Sequence, residues 1–479
     1  MNFPLNILDV QKDISSGSTS CIEIVDEYLA RIEEYKRLNA FIEVFNSEAI
    51  ERAKEIDQKF ANGTQGKLAG LVIGIKDMIS YVGHGVSASS KILEGFEAVY
   101  NSTVVQRLLD EDAIIIGRLN CDEFAMGASN ETSFYGNVLN FADETRVSGG
   151  SSGGSAVAVQ ANLCMASLGT DTGGSIRQPA SFCGIYGLKP TYSRVSRYGI
   201  ISYASSFDQC GPLTNSIEDA ALIMEVISGA DGKDAVASKT KVGNYLNELS
   251  TDQDFSIGLL SEPLKSEGMD KEIKDSILSL AETLKLNGNK VEDAHFEYLD
   301  YAVPTYYMLV TAEASSNLSR YDGVHFGYRS KNAVDLNTTY TKSRTEGFGE
   351  EVRRRIMLGT FVLSAGYYDA YYAKAQKARR LIRDATLKLL EEHDFIMLPT
   401  SPTTAFHIGE KIDDPIVMYL ADIFTVQASL SGLPALNIPL GIHSNGMPFG
   451  VQLIGRKFEE GKLLAIAAKI EKMQKALNN

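Results

Sequence analysis

The chain has 479 residues, and 61 Asp and Glu against 46 Lys and Arg leave it with a formal charge of −15, so any nucleic-acid contact is expected to fall mainly to a partner. Its five cysteines (Cys21, Cys121, Cys164, Cys183 and Cys210) are scattered and never spaced as CxxC, which excludes the usual signs of a disulfide framework or a zinc site. No apolar run approaches membrane-spanning length and charge arrives too early for a signal peptide, so a cytoplasmic protein without a membrane partner is expected.

In chain order, residues 1–60 read as a helical arm. Ser20 and Glu23 form a capping box, and Ile22, Val25, Leu29 and Ile32 follow at helical spacing. A strand over 68–75 stops abruptly at Lys76-Asp77, and Ala113–Gly117 reads as a second buried strand. A capped helix spans 216–228. Then come a strand at 256–260, a helix at 271–286 and a strand near 290–292. The stretch 296–350, rich in Tyr, Ser, Asn and Thr, reads as a loop-laden insertion or lid. A long helix over 371–392 leads into a strand at 395–398. Late strands at 436–440 and 449–454 precede a closing helix at 459–476. This alternation predicts an α/β architecture around one large sheet. No Pro/Gly/Ser linker divides it, so 61–479 is expected to be one domain, with 1–60 as an arm of the same domain.

The chemistry concentrates in two glycine-dense runs, Ser148-Gly-Gly-Ser-Ser-Gly-Gly-Ser155 and Asp171-Thr-Gly-Gly-Ser-Ile-Arg177. Glycine admits positive φ and close approach to bare amides, and converging N–H groups bind an anion. A serine hydroxyl beside such donors is the equipment of acyl transfer. A flexible linker is disfavoured because Val147 and Val157-Ala-Val159 flank the first run, and a phosphate loop is disfavoured because Ser155-Ala156 follows Gly154 where Lys-Ser/Thr is needed. The serine needs a base. None of the six histidines (His84, His295, His325, His393, His407, His443) lies beside these runs. Lys76, at the end of an apolar strand, is the candidate if its site favours the neutral amine; the alternative is a lysine that snorkels to water or pairs with Asp77.

Gly149–Gly154, Asp171-Thr-Gly-Gly-Ser-Ile-Arg-Gln-Pro-Ala180 and Gly74-Ile-Lys-Asp77 together resemble the amidase signature family, with all three motifs in order. The resemblance implies an α/β domain with a mixed central sheet covered by helices on both faces. It implies a Ser–Ser–Lys triad: Ser175 as nucleophile, Ser151 as the bridging serine after a cis Gly150–Ser151 peptide, and Lys76 as base. The backbone N–H groups of Thr172, Gly173, Gly174 and Ser175 would form the oxyanion hole. Gln160 departs from the pattern, which usually has a small residue there.

Within the family, four stretches resemble the glutaminase component of glutamyl-tRNA(Gln) amidotransferases: Lys189–Gly199, Arg344–Gly359, Tyr367–Tyr372 and Phe424–Pro434. That resemblance implies a glutaminase working in a heterotrimer, where its partners are the B and C subunits. It would supply ammonia for Glu-tRNA(Gln), with Asp-tRNA(Asn) as a second acceptor in some relatives. The chain itself would need no metal or cofactor, since ATP and Mg²⁺ are expected on a partner. Free glutamine carries an α-carboxylate and an α-ammonium, and the resemblance assigns these to Arg355 and Asp422, with Tyr306 and Met126 lining the pocket. Arg353 and Arg354 compete with Arg355, and Tyr307 with Tyr306. Arg177 and Asp171 are expected to pair and brace the oxyanion loop. A freestanding amidase and a catalytically silent scaffold are the competing readings.

Overall fold

A computed structural model describes residues 5–250, 253–410 and 421–478. Its described residues form an eleven-stranded mixed sheet in the order β1-β3-β2-β4-β6-β5-β10-β11-β9-β7-β8. The strands are β1 (Phe41–Val44), β2 (Val72–Lys76), β3 (Ile114–Leu119), β4 (Ala166–Asp171), β5 (Tyr186–Lys189), β6 (Gln209–Thr214), β7 (Ser256–Leu260), β8 (Lys290–Ala294), β9 (Phe395–Pro399), β10 (Ala435–Ile442) and β11 (Pro448–Ile454). β2 runs parallel to both β3 and β4, and β7 parallel to β8 and β9; the strands between these patches pair antiparallel. Every residue of β2 through β6 is buried. That is why Val72-Ile-Gly-Ile75 and Ile114-Ile-Ile116 read as continuous apolar runs rather than alternating ones.

The capping box forms: Ser20 Oγ accepts from Glu23 N at 3.2 Å, and Glu23 Oε2 accepts from Ser20 N at 3.1 Å. The first sixty residues are nevertheless not wholly helical, because they also contain β1, which pairs antiparallel with β3 at the sheet edge. A larger difference lies at 296–350. The expected loops are mostly helical, in Leu299–Asn317 and Leu336–Gly347. The first of these helices buries Leu299, Ala302, Val303, Tyr306, Tyr307, Leu309 and Val310 in a second apolar cluster, which the helices Glu350–Leu363 and Lys374–Glu392 also enter. A helix covered on several sides shows no single apolar stripe, so its sequence lacks the usual helical signature.

Candidate active site

β2 and β4 are adjacent parallel strands, Ile75 standing opposite Leu168, so their carboxyl ends open on the same side of the sheet. β2 delivers Lys76 there, and β4 delivers the loop that follows Asp171. Ligand sites favour this end of parallel strands. The helix Gly153–Gln160, buried from Gly153 to Val159, starts directly after Ser152 of the first run, so that run is folded structure and not a linker.

Lys76 is fully buried. Its Nζ donates to Ser151 Oγ at 2.8 Å and to Ser152 Oγ at 2.9 Å. The pairing with Asp77 is not made: Asp77 holds Arg118 at 2.7 Å and accepts from Ser87 N at 2.9 Å and Ser89 N at 2.6 Å. Burial lowers the Lys76 pKa from its ordinary value, and the nearby Cys121, Asp122 and Asp171 only partly oppose this. The Gly150–Ser151 peptide is cis. The Ser151 carbonyl accepts from Asp122 N at 3.1 Å, and the Asp122 carboxylate occupies the space a Cβ on Gly150 would need. Sequence reasoning passed over both Ser152 and Asp122, because nothing in the motif distinguishes a serine that receives the lysine from its neighbour. Ser152 also ties to β4, donating from Oγ to the Thr170 carbonyl at 3.1 Å.

Ser175 lies against the first run, its carbonyl accepting from Ser152 N at 3.1 Å. Lys76 and Ser151 are 0 % exposed and Ser175 is 8 % exposed, so the nucleophile candidate is the member of the three that an incoming molecule can reach. Among the described residues the Ser175 hydroxyl makes no hydrogen bond, so the Lys76–Ser151 contact is formed and a Ser151–Ser175 contact is not. Such contacts commonly tighten only once substrate is bound. The N–H groups of Gly173, Gly174 and Ser175 donate to no acceptor among the described residues, which is rare for buried backbone. Gly174 has φ +153°, and a Cβ there would strike Thr425; one at Gly173 would strike the Tyr306 ring. Both positions therefore require glycine, and they leave a row of bare amides beside a hydroxyl.

Arg177 and Asp171 brace this loop. Nη2 and Nε of Arg177 each donate to Asp171 at 3.0 Å, and both residues are fully buried. Arg177 also donates to the Thr425 carbonyl at 2.8 Å and to Gln452. Burial raises the Asp171 carboxyl, but Arg177, joined by Lys189 and the Ile176 amide, more than offsets this and leaves it below its ordinary value. Arg177→Met strands the Asp171 charge, so unfolding free energy from urea titration should fall by about 3–5 kcal/mol. A loss below about 1 kcal/mol would mean the loop is held by other means.

The glutamine-pocket candidates gather around Tyr307. Its hydroxyl donates to Asp422 Oδ2 at 3.4 Å, and the Arg355 guanidinium lies 5.3 Å from its ring centroid. Of the three consecutive arginines only Arg355 is buried, at 4 % exposure; Arg353 is exposed, and Arg354 pairs with Glu350 and Glu351. Arg355 donates to Glu351 at 2.7 Å and to the Tyr203 hydroxyl at 2.9 Å. Burial pushes the Asp422 carboxyl up to about 7, with Arg355 opposing. Thr425 Oγ1 donates to the Gly173 carbonyl at 2.6 Å and to the Asp422 carbonyl at 3.0 Å, which seats the Asp422 turn on the loop that follows Asp171. Tyr306 is buried and packs on Gly173, and the buried Met126 belongs to the same apolar cluster. The histidines bond elsewhere: His84 to Glu48, His295 to Glu262, His325 to Asp322, His393 to Ser256, His407 to Thr145, and His443 lies near Asp270.

The family model described as Amidase matches residues 23–464. The chain is 50 % identical over 462 residues to the A subunit of glutamyl-tRNA(Gln) amidotransferase from Chlorobium phaeobacteroides, covering 96 % of this chain and 97 % of that one. Its fold resembles the crystal structure of the A subunit of glutamyl-tRNA(Gln) amidotransferase from Thermotoga maritima, with a TM-score of 0.80, 39 % identity, and 98 % and 95 % of the two chains covered. It also resembles native peptide amidase from Stenotrophomonas maltophilia, with a TM-score of 0.81, 29 % identity, and 98 % and 97 % covered.

Proposed function

The chain belongs to the amidase family, and from that premise we propose that it is the glutaminase of a tRNA-dependent amidotransferase. What carries the reading is a buried cation, Arg355, over the Tyr307 ring and a buried carboxyl, Asp422, at its hydroxyl, with the Asp422 turn bonded to the loop that bears Ser175. A small amide without α-charges would have no use for both. Free glutamine would place its α-carboxylate toward Arg355 and its α-ammonium toward Asp422, which sends the side-chain amide toward Ser175.

In the proposed reaction Ser175 Oγ attacks the amide carbon. Its proton passes to Ser151 as Ser151 gives its own to neutral Lys76. The amides of Gly173, Gly174 and Ser175, with Thr172 beside them, take the charge on the tetrahedral oxygen. The carbon–nitrogen bond then breaks, Lys76 returns the proton through Ser151 to the departing nitrogen, and ammonia leaves an acyl-Ser175 ester. Water, deprotonated by the same relay, releases glutamate and restores Ser175. Ammonia would pass to a second component of the heterotrimer formed with the B and C subunits, where Glu-tRNA(Gln), activated with ATP and Mg²⁺, would be converted to Gln-tRNA(Gln).

The test is a glutaminase assay on the complex copurified from its host, with and without acceptor tRNA. Hydrolysis should rise when tRNA is present, and Arg355→Ala should raise KM for glutamine at least about 30-fold, while Arg353→Ala leaves it unchanged. Full activity of the isolated chain, equal on amides that lack both α-charges, would instead identify a freestanding amidase.

A further inference from the structure

The segment between Ser202 and Asp208 belongs to neither glycine-rich run, yet it touches both ends of the site. Asp208 is buried just before β6, and its carboxylate accepts five hydrogen bonds. Thr172 Oγ1 donates to Oδ1 at 2.7 Å, and Tyr203 N to Oδ2 at 2.9 Å. Ser202 Oγ donates to Oδ2 at 3.1 Å, and Ala204 N to both oxygens at 3.2 and 3.0 Å. Thr172 opens the oxyanion loop. Tyr203, only 1 % exposed, receives Arg355 Nη1 on its hydroxyl at 2.9 Å. One carboxylate thus joins the loop that would hold the oxyanion to the tyrosine that positions the pocket cation.

A second contact runs the same way. Phe207 meets Tyr306 edge to face, with centroids 5.7 Å apart, and Tyr306 packs on Gly173. The far side of the segment is clamped. Ser206 N donates to Glu313 at 2.9 Å, Ser206 Oγ also donates to Glu313, and Arg379 donates to Ser206 Oγ and to its carbonyl at 3.0 Å each. Glu313 lies on the helix that bears Tyr306 and Tyr307, and Arg379 on the helix Lys374–Glu392. A segment held this way transmits a displacement rather than absorbing it, because packed interiors shift between discrete arrangements.

We propose that Asp208 is a positioning residue that couples occupancy of the Arg355 site to the geometry of the oxyanion loop, through Tyr203 on one side and Thr172 on the other. The inference rests on the glutaminase reading above. Asn at 208 keeps the shape but presents an NH₂ where two or three of these donors need an acceptor, so the coupling breaks without a change in volume.

The experiment is a double-mutant cycle on the assembled complex, with glutamine as substrate. Asp208→Asn should lower kcat at least tenfold, and Tyr203→Phe should act mainly by raising KM. Together they should cost at least fivefold less in kcat/KM than the product of the single effects, because the coupling can be broken only once. Thr172→Val, which removes the bond from the other end and keeps the backbone amide, should reproduce the kcat loss and is the substitute if the Asn variant does not assemble. Multiplying effects, or an unchanged kcat in both Asp208→Asn and Thr172→Val, would overturn the inference while leaving the glutaminase reading intact. A wild-type complex without glutaminase activity would overturn that reading instead.

Discussion

Ser175→Ala is expected to remove glutamine use from the assembled complex and to leave its use of added ammonia unchanged. A site that has lost its nucleophile retains only the residual rate its oxyanion donors supply, so kcat should fall by at least about 10³-fold, and by as much as about 10⁶-fold. The two ammonia sources separate because the Ser175 hydroxyl would serve only the first. It makes no hydrogen bond among the described residues, so its removal leaves no donor stranded, and the variant should fold as the parent does. Measuring amidated tRNA with glutamine and then with ammonium salt decides the matter. Equal loss with both would show that residue 175 supports the complex rather than the chemistry, and undiminished glutamine use would end the serine mechanism.

Lys76→Ala is expected to cost glutamine hydrolysis about 10²–10⁴-fold, the usual range for a positioned general base. The pH dependence is the sharper signature. In the proposed mechanism the active form is the neutral amine, and burial holds the Lys76 pKa below its ordinary value of 10.5. Below that depressed value the ammonium predominates and kcat/KM should drop tenfold per pH unit; above it the rate levels off, short of the pH an exposed lysine would need. Lys76→Arg separates charge from basicity, because a guanidinium stays protonated throughout and cannot take the Ser151 proton. An active Arg variant, or a profile flat across the acidic limb, would exclude lysine as the base.

The α/β fold class was legible in the sequence, and the candidate site residues stood out more plainly than the helices around them, for a reason of distance along the chain. Ser151, Ser175 and the glycines around them sit in short runs whose composition has few other uses, and the abrupt end of an apolar strand marks Lys76. Arg355 could not be separated from Arg353 and Arg354 by reading alone. Consecutive helical residues point about 100° apart, and only packing decides which of the three faces inward. Asp208 was illegible for a related reason. Its partners are as far as 36 residues away, and an isolated Asp before a strand looks like any turn residue. Residues 296–350 differ from the expected loops because Tyr, Ser, Asn and Thr are weak helix formers; tertiary burial overrode that preference in Leu299–Asn317, whereas the largely exposed Leu336–Gly347 starts on a capping box of Asp335 and Thr338.

The molecule keeps its reagents and its discrimination in different materials. Lys76 and the loop after Asp171 are anchored to the neighbouring strands β2 and β4, third and fourth in the sheet order, whereas Tyr306, Tyr307 and Arg355 ride on helices outside it. Those helices still bear on the loop, since Tyr306 packs on Gly173 and the Tyr203 that holds Arg355 shares Asp208 with Thr172. Exchanging the faces of those two helices should therefore admit other amides only where the contacts of Tyr306 with Gly173 and of Arg355 with Tyr203 are kept.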